Sequence, residues 1–505
     1  MAFPLPHSVS ALPAEVDIVV LGGGGSGLAA AVAAGQRGVD VLLLESQPHL
    51  GGTTALSVGS ITAAGTRLQR RAGVMDSAEA LAEDMWKFDL NLLAGDSPEL
   101  RTLLATEAAS TVAWLEDLGV AFSGPYPEPP HRVPRMHNVI PNSKTYIVRL
   151  TEAAERLGVA IACGVDVSEL VQEREKVVGV RVRWADGTHC VRARKGVVLA
   201  TGDFSGNAEM RHTYLSPAAA AARPINETAN GDGHRLGESV GAQTRAMEVT
   251  FGPQLRFSPP ASTGLIDRLP TWRWLCKLEA AVVRALPPSA LRPFVKSLLI
   301  THMSPSGALF AEGAVLVNRL GERFCEEKSS VAELSTQPEG EGWIIMDTRI
   351  ATLFSRAPNA ISTAPGIAFA YFDDYRRGRP DLVHEAATSE ELARDCHLDA
   401  AALEESVRSA GLVAPLVAIG PCYSTLTVTE GALAVDASLR VLDTEGNPVE
   451  GLYAVGAVGQ GGMMLLGHGH HIGWAMTSGR VAGETVARRF WAGSASAVND
   501  QPARP

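Results

Sequence analysis

Three histidines crowd the segment Gly467-His468-Gly469-His470-His471, and near the other end of the chain stands Gly22-Gly23-Gly24-Gly25-Ser26-Gly27. Histidine titrates close to neutrality, so such a group can move a proton or donate to a developing oxyanion. His468 and His470 are expected to face a substrate, and His471 and Ile472 a cofactor. Three histidines in four positions also raise a metal site, but no acid or cysteine accompanies them locally, so none is expected. The glycine run satisfies G-x-G-x-x-G. Gly22 permits a tight turn, Gly24 lets the backbone approach a pyrophosphate, and Gly27 lets a helix close on a strand. The helix that follows offers free N–H groups that attract phosphate, and Ser26 is counted among the expected contacts. Glu45 lies eighteen residues beyond Gly27, the spacing for an acid that accepts from a ribose diol.

These residues need particular elements to hold them. Val16 to Leu21 reads as a buried parallel strand, Leu28 to Gln36 as an alanine-rich helix, and Val39 to Leu44 as a second strand, together one βαβ unit. Helical spacing runs from Asp76 to Leu118 and from Thr145 to Leu157, and a strand is expected at Val159 to Cys163. Val177 to Trp184 and Cys190 to Arg194 flank Ala185-Asp186-Gly187 as a hairpin. Gly196 to Ala200 forms a further strand, which leads into Thr201 to Asn207. Gly451 to Val455 reads as a strand and Ile472 to Arg489 as a long closing helix. From Phe257 to about Leu416 the texture changes to prolines, tryptophans and basic residues. The expected fold is α/β: a dinucleotide-binding domain with a parallel sheet (1–256 and 417–505), interrupted by an α+β cap (257–416).

The βαβ unit suits either NAD or FAD, whereas the Glu45 carboxylate would repel a 2′-phosphate. A second glycine pair soon after that acid, Gly51-Gly52 in Ser46-Gln47-Pro48-His49-Leu50-Gly51-Gly52-Thr53-Thr54, favours FAD, because the backbone must pass close to a cofactor extending beyond the pyrophosphate. The late glycine run would aim a helix start at the flavin, where negative charge gathers on reduction.

The whole series resembles the FAD-dependent family of fumarate reductase flavoproteins and 3-ketosteroid dehydrogenases: VVLGGGGSGLAAA, ESQPHLGGTT, VVLATGDFSGN, NGDGHRLGESVGA, VNRLGERFCEE, and GLYAVGAV followed by TSGRVAGE. The resemblance implies a Rossmann-type FAD-binding domain with the active site under an inserted cap. It puts Gly202 and Asp232 near the cofactor, and Val167, Thr201 and Gly456 are counted among the expected contacts. Members with covalent FAD carry a histidine where this chain has Thr53, so non-covalent FAD is implied. Two arginines of the reductase pattern are missing, one replaced by Leu466 and the other absent from Lys328 to Thr336. Gly469 matches the glycine whose N–H holds a ketone oxygen in the ketosteroid pattern, but Leu465 and Val331 replace its two tyrosines.

The expected activity is therefore dehydrogenation of a cyclic or steroid-like ketone to its α,β-unsaturated form, with hydride passing to flavin N5. The reverse reduction of an activated C=C bond is the alternative, and a non-catalytic flavin-binding protein the third reading. Tyr423 is a further catalytic candidate, with Arg132, Arg135 and His137 behind it. Met463 to Leu466 is expected to give the pocket an apolar wall. Thr271 to Lys296 carries Trp272, Arg273, Trp274, Lys277, Arg284, Arg292 and Lys296. It reads as a cap helix with its tryptophans packed inward, or else as an amphipathic helix in weak contact with a membrane surface.

Composition fits this picture. The chain has 505 residues, 46% hydrophobic and 20% charged, with a formal net charge of −11 that gives no support to nucleic-acid binding. Six scattered cysteines without a C-x-x-C pair suggest a reducing compartment, and no signal peptide or spanning segment is seen, so a cytoplasmic location is expected. The implied partners are a small hydrophobic carbonyl substrate and an external electron acceptor or donor.

Overall fold

The computed structural model describes residues 9–88, 96–185, 187–260, 269–286, 300–301, 303–327, 329–364 and 368–488. β1 (Glu15–Leu21), α1 (Gly25–Gly35) and β2 (Val41–Glu45) form the first βαβ unit. Around β1 the parallel strands Pro448–Ala454, Gly187–Leu199, β1, β2 and Ala160–Cys163 lie in that order. β1 and β2 are buried along nearly their whole length, which explains apolar runs without alternation. The two segments read separately as 190–194 and 196–200 are one long strand, Gly187–Leu199, with Gly196 at φ +157° inside it. The strand Asp166–Glu173, not foreseen, pairs with Lys176–Trp184 at the sheet edge. Its many charged residues hide the apolar alternation that would have revealed it.

The closing helix, His470–Arg488, packs directly on α1. A Cβ on Gly479 would come 2.3 Å from the Ser26 carbonyl oxygen, and one on Gly483 2.3 Å from that of Ala30. Only glycine allows this approach, and it brings the late histidines beside the early glycine turn.

A second, mostly antiparallel sheet is built on Leu416–Leu426, which pairs with Glu341–Asp347, Gln254–Phe257 and Val383–Ala386. Helices Thr348–Leu353, Ser389–Cys396 and Ala400–Ser409 accompany it, giving this unit its own core. The expected boundaries at 256/257 and 416/417 both fall within this sheet, because Gln254–Phe257 pairs with Tyr423 and its neighbours. The second unit thus keeps 254–257 and 416–426 whole.

The segment 273–285 departs further from expectation. It forms a helix, Arg273–Ala285, but Cys276 and Ala280 pack against Ala121 and Ile140 of the first domain. Trp272 and Trp274 face outward, 57% and 63% exposed, and do not pack inward. Arg292 and Lys296 lie outside the described residues, as do Asp186, Lys328 and Arg489.

Candidate active site

The parallel strands end together. Leu21 leads into Gly22, Leu44 into Glu45, Leu199 into Ala200 and Thr201, and Ala454 towards Gly456, and ligands bind at such carboxyl ends. A cavity of about 750 Å³ opens there and runs beneath the second sheet.

At one end the two early glycine clusters interlock. Gly24 and Gly51 form a parallel bridge, and the Gly51 N–H donates to the Gly23 carbonyl at 3.0 Å. A Cβ on Gly27 would lie 1.9 Å from the Gly22 carbonyl oxygen, so this glycine is fixed by helix packing and stays off the cavity wall. Gly22, Gly24, Ser26, Gly51, Gly52, Thr53 and Thr54 line the cavity. A Cβ on Gly24 would project into nearly open space, its nearest neighbour 3.9 Å away, while α1 has no acid in its first turn. An anionic diphosphate fits that place. Glu45 and Ser46 follow on the wall; the Glu45 carboxylate is held by the N–H groups of Gly23 at 2.6 Å and Gln47 at 2.8 Å. Val167, Thr201, Gly202 and Asp232 complete this side. Gly456 lies behind it, its N–H donating to Ser478 and its carbonyl accepting from the Trp474 indole.

At the other end the histidines separate by role. His468, Gly469, His471 and Ile472 line the cavity, but His470 does not. His470 is buried on the opposite side, where its Nδ1 accepts from the Gly467 N–H and its Nε2 meets Nε2 of His131 at 3.1 Å. Burial and the surrounding histidines push its pKa down. The sequence reading expects His470 to face substrate, but the structure turns it away from the cavity: Gly469, at φ +82°, redirects the chain between His468 and the helix that begins at 470.

His468 and His471 each have a carboxylate partner. His468 Nδ1 and its own N–H both lie 2.6 Å from one oxygen of Glu128, a buried acid in the loop between Ala121–Tyr126 and Met136–Ile140. His468's side chain is 60% exposed, and the hydrogen bond to Glu128 raises its pKa. His471 Nε2 lies 2.8 Å from Glu430, which is fully buried and also accepts from the Gln460 amide. Burial opposes charge on His471, but Glu430 outweighs it and the pKa rises. Gly469, at φ +82°, fits only as glycine, since a Cβ would meet the Thr62 nitrogen at 2.7 Å.

Arg256, on the second sheet, brings a cation to the same cavity, and burial lowers its pKa. Tyr423 is its register partner, but the Tyr423 hydroxyl binds Glu341 and its ring lies under Arg223, away from the cavity wall. The catalytic role expected for Tyr423 finds no geometry here. Arg132 and Arg135 are engaged by Glu83, Asp84 and Asp76, and His137 lies between Thr66 and Ile61, so this cluster braces the fold. Met463 and Leu465 are sealed in the core, so the apolar wall expected from 463–466 is not part of the cavity.

A model of the FAD binding domain family matches residues 17–468. The chain belongs to this family. It is 27% identical to a probable fumarate reductase, Ifc3, of Shewanella frigidimarina, over 96% of this chain and 77% of that protein. It is likewise 27% identical to urocanate reductase of Eggerthella lenta, over 90% of this chain and 71% of the relative. Among solved structures, the open conformation of a flavocytochrome c3 fumarate reductase superposes with a TM-score of 0.71 at 25% identity, covering 95% of this chain and 78% of that one. The Rossmann-type FAD domain with its second α+β unit is the fold of this FAD-binding family member. Among the described residues, no helix is long and apolar enough to cross a membrane, and no group of three metal-ligating side chains occurs.

Glu128, Glu430 and Arg256 escaped the sequence reading. Glu430 left one signal, a lone acid within the otherwise uncharged run LTVTEGALAV, which a buried segment tolerates only when the acid is paired. Glu128 and Arg256 sit in no motif.

Proposed function

We propose that this protein is an FAD-dependent oxidoreductase of CH–CH bonds, exchanging a hydride with the β-carbon of a carbonyl compound while His468 moves the proton at the α-carbon. The observation that carries this reading is His468, backed by Glu128, on the wall of the same cavity that the glycine cradle lines. FAD supplies the hydride acceptor or donor. The start of α1 with Ser26 would hold its diphosphate, Glu45 its ribose, and Thr53 and Thr54 the approach to its ring. Thr53 has no imidazole to form a covalent link, and its hydroxyl accepts from Asn226 at 2.8 Å. Non-covalent FAD is therefore proposed, and acid precipitation should release all the yellow colour.

Glu128 fixes the His468 ring through Nδ1, so Nε2 is the nitrogen that would exchange the proton with substrate. Arg256 and the start of the closing helix would stabilise negative charge developing on the substrate carbonyl. His471, held charged by Glu430, would do the same for the reduced cofactor. Dehydrogenation of a ketone to the conjugated enone is the first direction proposed. Reduction of an activated alkene is the second, favoured by a positively charged Arg256 in the cavity and by the reductase names of the relatives. An external electron acceptor or donor completes either cycle.

Anaerobic titration separates the two directions. Bleaching of the flavin by saturated cyclic ketones supports dehydrogenation. Reoxidation of the reduced protein by enones or unsaturated carboxylates, without bleaching by ketones, supports reduction. If neither class changes the flavin spectrum, the proposed chemistry is wrong.

A further inference from the structure

We propose that the helix Arg273–Ala285 is a docking element for an anionic lipid surface. This helix is about 20 Å long. Its buried side, Cys276 and Ala280, sits on Ala121 and Ile140. What remains outward is divided lengthwise. Trp274, Leu278, Val282 and Leu286 recur every fourth residue and are 63%, 52%, 45% and 38% exposed. Such spacing keeps them on one slowly turning ridge. Trp272 extends the ridge at the helix start, with its ring stacked on Trp274 at 6.0 Å.

The second ridge is basic. Arg273, Lys277 and Arg284 fall about 60–100° to one side of Trp274 around the helix axis; Arg273 is tied to the Leu118 carbonyl at 2.8 Å and lies 4.0 Å from Glu152, so Lys277 and Arg284 are the exposed cations of this ridge. Arg67 and Arg71, from the neighbouring helix Arg67–Arg71, lie beside it around Glu116; Arg67 is 3.9 Å from both Glu116 and Asp117, which leaves Arg71 as the cation that extends the ridge. The protein as a whole is acidic, at −11, so a cationic strip beside an apolar ridge is a local feature.

Two stacked tryptophans are suited to the boundary between acyl chains and headgroups, where an amphipathic ring is most stable. A row of Lys and Arg alongside is attracted to anionic headgroups at the same depth. A second copy of this chain fits the surface poorly, because symmetric pairing would bring each basic ridge close to its twin. Lysine is also depleted in protein interfaces. The charge pattern therefore selects an anionic bilayer. This inference rests on the helix alone and does not depend on the proposed reaction.

The test is flotation of the FAD-loaded protein with vesicles rich in phosphatidylglycerol, compared with vesicles of phosphatidylcholine alone. Flotation is expected with the first and about tenfold or more weaker with the second, and high salt should release the protein. Trp272→Ser with Trp274→Ser should abolish flotation, and Lys277→Glu with Arg284→Glu should weaken it about tenfold or more. These side chains are exposed, so flavin content and melting temperature should stay at wild-type values and certify the fold. Absence of flotation with phosphatidylglycerol overturns the proposal, as does flotation that survives the tryptophan substitutions. Self-association lost on the tryptophan substitutions, without vesicle binding, would assign the face to a second copy instead.

Discussion

Replacing Glu128 with glutamine isolates the part of the site on which the proposed proton transfer depends. The glutamine Oε1 can still accept from both the N–H and the Nδ1–H of His468, so geometry is retained and only charge is lost. A charge-assisted hydrogen bond is roughly twice as strong as a neutral one, which puts the raw difference at about 1–2 kcal/mol. His468's side chain is 60% exposed, so solvent screening brings the usable share to about 1 kcal/mol, or roughly a fivefold loss of rate. His468→Ala removes the proton-transfer group itself and should cost about 10²–10⁴. Stopped-flow measurement of flavin reduction or reoxidation across a pH series reads both effects. Because Glu128 raises the His468 pKa, Glu128→Gln should also move the corresponding ionisation in the rate profile to lower pH. His470→Ala is the control: its ring lies off the cavity, so it should cost stability more than rate. An unmoved pH profile in Glu128→Gln, or a His468→Ala rate equal to that of His470→Ala, would refute the assignment.

Other outcomes are equally specific. Gly27→Ala forces a methyl group against the Gly22 carbonyl, which should cost about 1–3 kcal/mol and leave the purified protein short of flavin, read from its absorbance ratio. Arg256→Ala should lower kcat about tenfold or more, the loss of one charge-assisted contact to the developing negative charge, and steady-state kinetics will show it. Stability should fall as pH drops from 6.5 towards 4, because His131, His137 and His234 are buried with pKa values lowered to about 4. The unfolded chain takes up their protons first, so thermal melts should slide downward through that window.

Much of the framework was legible because short-range physics dictates it. The glycine turn, the uniformly apolar β1 and β2, and the acid at Glu45 are fixed by contacts within about thirty residues. The closing helix was equally readable, although its decisive glycines, 479 and 483, speak only once α1 is known to lie against them. The histidine roles were not readable, since GHGHH puts His470 one position from Gly469 in sequence but on the far side of a helix start in space. Arg256 reaches the cavity from a strand, and Glu128 backs His468 from a loop, both remote from every glycine motif. Their partners are set by tertiary contact, which no local pattern encodes.

The helix Arg273–Ala285 bears on how the chain can be divided. In chain order it belongs to the insertion, yet it is anchored on the first domain, so the polypeptide leaves the second sheet after Phe257, is pinned at 273–285, and returns by Ile300. Contact and chain order therefore disagree in this stretch: excising 258–416 as one unit would remove the second sheet's partner strands and also strip Ala121 and Ile140 of their cover in the first domain.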